Sequence, residues 1–157
     1  MTTNMGTRRR AREFALQILY QIDVLHGTGG SAPSDDQAIA LFWNNFLSAA
    51  DGESESAPDV SEARPFAEKL VRGVRQNQGE LDAQIQSASR NWRLERMARV
   101  DRNLIRLALY ELKHADDVPA KVAINEAIEI AKRYGTSESS AFVNGILDRC
   151  REELGKK

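Results

Sequence analysis

Along every long segment of this 157-residue chain, apolar residues recur at steps of three and four. No convincing alternation of two appears anywhere. That periodicity restricts the chain to helices packed on helices, because a strand would need one apolar face at every second position. In the first helix Ala11, Phe14, Ala15, Ile18, Ile22 and Leu25 define the face expected to be buried. The stretch "HGTGGSAPSDD" (from His26) ends it and leads to a second helix with Ile39, Phe42, Trp43, Phe46 and Leu47 as its stripe. An acidic loop of small residues, "ADGESESAPDVSEA" (from Ala49), is expected to be mobile. Pro65 suits the first turn of a third helix carrying Phe66, Leu70, Val71 and Val74, and Leu81, Ile85 and Ala88 mark a fourth.

The second half reads the same way. Trp92, Leu94 and Met97 precede a fifth helix, which Asp101 is expected to cap, with Leu104, Ile105, Ala108 and Leu112 inward. A sixth runs through "AKVAINEAIEIAKRYG" to Gly135, and Ser137 is a candidate cap for the last, "ESSAFVNGILDRCREEL". Asn144-Gly145 breaks the pattern, since the pair ordinarily marks a turn. A glycine inside a helix costs about 1 kcal/mol against alanine, which close approach of another helix would explain. A subdomain boundary is expected near Gln78–Gly79, giving residues 1–78 and 79–157 as subdomains of one compact unit.

Chemistry-bearing motifs are few. Cys150 is the single cysteine, so neither an internal disulfide nor a cysteine metal cluster can form within one chain. His26 and His114 both fall near helix ends, where an imidazole usually meets terminal carbonyls. No glycine-rich phosphate loop follows a strand and no nucleophile elbow occurs, so no catalytic residue, metal or cofactor is expected. With no apolar run long enough to span a bilayer and no signal peptide, the chain reads as cytoplasmic.

Charge is distributed unevenly beneath a net of -1. Arg8, Arg9, Arg10 and Arg12 face only Glu13 within residues 1–20, whereas residues 21–63 hold eight acids and no lysine or arginine. At 100° per residue, Arg9, Arg10, Glu13, Gln17 and Tyr20 share the face opposite the buried stripe. Arginines for phosphates, amides for base edges and a ring for stacking are what single-stranded RNA requires. A solvated face is the other reading. Cations near a helix N-terminus oppose its macrodipole, which favours the functional one.

Four ordered stretches, "RRRAREFALQILYQ", "VDRNLIRLALYEL", "DVPAKVAINEAIEIAKRYG" and "SSAFVNGILD", resemble the bacterial NusB family of transcription antitermination factors. The resemblance implies an all-α fold of about seven helices in two packed small bundles. It implies no enzymatic activity. Family members bind single-stranded boxA RNA together with NusE, a small-subunit ribosomal protein, and join the RNA polymerase elongation complex with other Nus factors in ribosomal RNA operons. Carried over by position, the RNA contacts fall on Arg8, Arg9, Arg10, Arg12, Gln17, Tyr20, Glu138 and Phe142, and the NusE contacts on Glu95 and Asp101. Phe142 also reads as simple core. Where the family often has a basic residue before this phenylalanine, the chain has Ala141, and its acidic loop is longer than usual. Two other readings stand beside this one. A similar helical module begins some ribosomal RNA cytosine methyltransferases, a reading that requires this sequence to be a piece of a longer protein. A homodimer hiding the RNA face is the other.

Overall fold

The computed structural model describes residues 5–27, 32–49 and 57–156. Among them are seven α-helices, one 3-10 turn and no strand, as the periodicity requires. The helices are α1 (Met5–Gly27), α2 (Asp35–Ala49), α3 (Ala57–Gln76), α4 (Gln78–Ala88), α5 (Arg99–His114), α6 (Ala120–Tyr134) and α7 (Ser139–Glu153), with the 3-10 turn at Leu94–Arg96. The chain divides into two compact units, Met1–Arg72 and Gly73–Lys157.

In the first unit, Phe14 of α1 meets Phe42, Trp43 and Phe46 of α2 edge-on, with ring centroids 5.0–6.2 Å apart. Such contacts add to the area that the rings bury. A capping box starts α2: Ser34 Oγ accepts from the Gln37 amide at 3.1 Å, and Gln37 Oε1 accepts from the Ser34 amide at 2.9 Å. Asp35 and Asp36 in its first turn add a favourable charge–dipole term. Leu47, expected inside, is 44% exposed.

Helix α3 starts earlier than Pro65. Val60 and Ala63 are buried, and their burial extends the helix back to Ala57 with Pro65 inside it. An internal proline removes one backbone hydrogen bond, here the one to the carbonyl of Ser61, an exposed residue. The expected acidic loop is therefore helical from Ala57, and its 50–56 portion lies outside the described residues, as does 28–31 of the preceding loop.

The second unit is built around α5, which packs against α4, α6 and α7. Every residue from Arg102 to Leu109 is buried, so α5 is enclosed rather than two-faced. Two of its buried polar residues, Arg106 and Asn103, are held by side-chain bonds. Arg106 forms a two-pronged pair with Asp82 of α4, Nε to Oδ1 at 2.7 Å and Nη2 to Oδ2 at 3.0 Å, and donates to Asn103 Oδ1 at 3.0 Å. Asp101 is not the cap: α5 begins at Arg99 after an Ala98 N-cap, placing Asp101 in the first turn. Nor does Ser137 cap α7, whose N-cap is Glu138. Ser139 takes the local role, its Oγ accepting from the Thr136 amide at 2.9 Å.

Glycine geometry also departs from expectation. A Cβ at Gly145 would meet nothing within 4 Å, so no helix approaches it closely. Another helix comes close at Gly73 of α3 instead, where a Cβ would run into the Tyr110 ring of α5, and at Gly135 a Cβ would run into Ser139 Oγ and lie 2.9 Å from the Ala131 carbonyl oxygen. Gly135 lets the chain turn tightly from α6 into α7.

Candidate nucleic-acid interface

Helix α1 holds its arginines against aromatic rings. The Arg8 guanidinium lies 5.2 Å and that of Arg12 6.0 Å from the Phe66 centroid of α3, and Arg10 lies 4.7 Å from that of Phe14. A ring face attracts a cation and restrains its side chain, so the charges are partly pre-positioned. Arg8, Arg9 and Arg10 are half-buried, whereas Arg12 is only 4% exposed. Burial gives Arg12 a supporting position against Phe66. Glu13 is 2% exposed, which removes it from the polar face that helical geometry assigned it. The reason lies in α1 itself: Leu16 and Leu19 are buried along with the expected stripe, so the helix is covered on more sides than one. The other four members of that face stay accessible, Arg9 and Arg10 among them. Gln17 is half-buried, and Tyr20 is 41% exposed.

In the second unit Glu138 and Phe142 line a hollow of about 170 Å³ with Trp92, Arg96, Met97, Ala98, Asp101 and Thr136. Asp101 thus shares one concavity with two residues carried over as RNA contacts. Its Oδ1 is buried with no hydrogen-bond partner among the described residues. A buried acceptor of that kind carries a desolvation cost. Glu95 stands outside the hollow, exposed and 3.4 Å from Arg93.

Trp92 is the site residue that periodicity left without a role. Read as an apolar residue before α5, it is 55% exposed and meets Phe142 edge-on at 6.3 Å. A polar clasp holds it out. Gln86 Nε2 donates to the carbonyls of Ser89 and Trp92 at 3.1 and 2.9 Å, and its Oε1 accepts from the Leu94 amide at 2.9 Å. Arg102 Nη1 donates to the Leu94 carbonyl at 3.2 Å. One signal for this was in the chain: Arg90, Arg93, Arg96 and Arg99 surround the tryptophan, an unusual setting for a core ring.

Other candidates are quiet. The His114 ring stacks on Tyr110 at 5.1 Å. Cys150 is buried, and burial together with nearby Glu153 pushes its thiol from 9.0 up to about 11, so it is no nucleophile. Among the described residues no helix is long and apolar enough to cross a membrane.

A model of the NusB family matches residues 9–152. The transcription antitermination protein NusB of Myxococcus xanthus is 46% identical over 152 residues, covering 97% of this chain and 99% of the relative. That of Syntrophotalea carbinolica is 50% identical over 149 residues, covering 92% and 91%. Among solved structures, T. maritima NusB matches with a TM-score of 0.75 at 35% identity, covering 98% of this chain and 94% of that one. A crystal structure of NusB and NusE in complex with double-stranded RNA shares the fold, with a TM-score of 0.73 at 21% identity and coverage of 96% and 99%.

Proposed function

We propose, on the premise that this chain belongs to the NusB family of transcription antitermination proteins, that it is a non-enzymatic adaptor binding boxA-type single-stranded RNA together with NusE. Within that reading it joins the RNA polymerase elongation complex and supports read-through in ribosomal RNA operons. The observation that carries it is the pairing, on α1, of ring-restrained arginines with an exposed tyrosine. Arg8, Arg9 and Arg10 take phosphates, Gln17 a base edge and Tyr20 a stacked base. Arg12 holds this end of α1 against Phe66, and Phe142 and Glu138 supply the contacts of the second unit. Asp101 and Glu95 receive cationic groups of NusE. A solved structure of the same fold, assembled with NusE and double-stranded RNA, supports NusE and RNA as the classes of partner.

The test is anisotropy of a labelled boxA-type strand across salt concentrations. Replacing Arg8, Arg9 and Arg10 with alanine is expected to leave helical content intact and to flatten the salt slope by roughly 1.4–2.1, at about 0.7 per lost phosphate contact. An unchanged slope contradicts the assignment. A wild type that prefers a duplex of the same sequence contradicts the single-strand reading.

A further inference from the structure

The Trp92–Phe142 edge has a second side. Behind it lies a groove of about 240 Å³ bounded by the end of α4, the Ser89–Trp92 connector and α7. Ala141 and Gly145 form its floor, both exposed, and a Cβ at Gly145 would touch nothing. Arg90, Asn91 and Arg149 line its flank. Arg149 Nη1 donates to the Ala88 carbonyl at 2.9 Å, which fixes the guanidinium beside the groove with its other N–H groups still available for an anion. Beyond Arg149 the surface turns acidic at Glu152 and Glu153, so the anion-attracting part ends there.

From this arrangement we infer that the groove binds one or more further nucleotides of single-stranded RNA flanking the segment held at Phe142. A base stacks on the outer face of Trp92 above the small-residue floor, and its phosphate is taken by Arg90 and Arg149. Every base has a ring face, so such a site extends the bound length with little sequence preference. Two arginines beside an exposed indole favour a nucleic acid over an apolar helix of a protein, which would leave both charges unpaired. The inference rests on the RNA-binding reading above and adds residues that reading does not use.

The experiment compares a boxA-type strand with the same strand carrying an oligoadenosine tail at either end. Wild type is expected to bind one tailed strand more tightly than the untailed one. Arg90→Glu/Arg149→Glu loses that gain, binds the untailed strand as wild type does, and lowers the salt slope on the tailed strand by about 1.4 for two contacts. Because Arg149 also holds the Ala88 carbonyl, Arg90→Glu alone must reduce the gain, and Arg149→Lys must retain part of it. Equal binding of tailed and untailed strands by wild type overturns the groove, as does a double variant that keeps the gain. Weakened NusE binding with unchanged RNA binding makes the surface a protein contact and overturns it as well. If wild type binds neither strand, the RNA-binding reading itself fails and takes the groove with it.

Discussion

Arg12 and Tyr20 belong to one helix and meet opposite surroundings, and their substitution separates support from contact. Tyr20→Ala removes an exposed ring, so it is expected to weaken RNA binding by about 1–3 kcal/mol. Melting should stay within the roughly 0.5 kcal/mol typical of surface changes. Tyr20→Phe keeps the stacking face and binds nearly as wild type. Arg12→Ala works the other way: it removes a buried cation from Phe66, and denaturant unfolding should reveal a stability loss of about 1–2 kcal/mol. Phe142 is half-buried, lining hollows on both sides. Phe142→Ala should therefore cost less than the roughly 3–5 kcal/mol of a fully enclosed ring, and should weaken RNA binding in protein shown to be folded. A loss of the full core magnitude with normal binding would return Phe142 to a packing role.

At the scale of elements, the two glycines of the α6–α7 segment predict opposite outcomes. Gly145→Ala adds a methyl to open space inside a helix and should stabilise by about 0.5–1 kcal/mol. Gly135→Ala drives a Cβ into Ser139 and the Ala131 carbonyl and should destabilise by about 1–3 kcal/mol. Thermal melts of both variants check the pair. Helices were legible in the chain because three- and four-residue spacing survives even where the middle of α5 is enclosed. Their starts were less legible. A cap depends on where tertiary burial sets the first turn, and neither Asp101 nor Pro65 could report the burial of neighbouring residues such as Val60. The same limit hid the burial of Glu13, and no periodicity bears on Trp92, which lies between helices. Periodicity assigns one face to a helix, whereas α1 is covered on several sides and Trp92 is held outward by Gln86 and Arg102.

Across the molecule, the residues assigned to RNA are divided between the units, with Arg8, Arg9, Arg10, Gln17 and Tyr20 in one and Glu138 and Phe142 in the other. Removal of Cys150 offers a pH probe of the second unit's core. Its folded-state pKa is raised, so the stability that the neutral thiol provides is full below about 9 and fades as pH rises toward about 11. The stability difference between wild type and Cys150→Ala should shrink over that window, as followed by denaturant unfolding at stepped pH. The central claim is that one protein couples two partners, and linkage makes it quantitative: whatever factor NusE adds to RNA affinity, RNA must add to NusE affinity. The most direct measurement is titration of boxA-type RNA with and without NusE, and of NusE with and without that RNA, on wild type and Asp101→Lys. The account predicts equal coupling factors above one in wild type. Asp101→Lys should lose NusE and keep its own weaker RNA binding, because reversing the charge sets like charges together at a cost of several kcal/mol. Coupling factors of one, or an Asp101→Lys variant that binds NusE as wild type does, would contradict it.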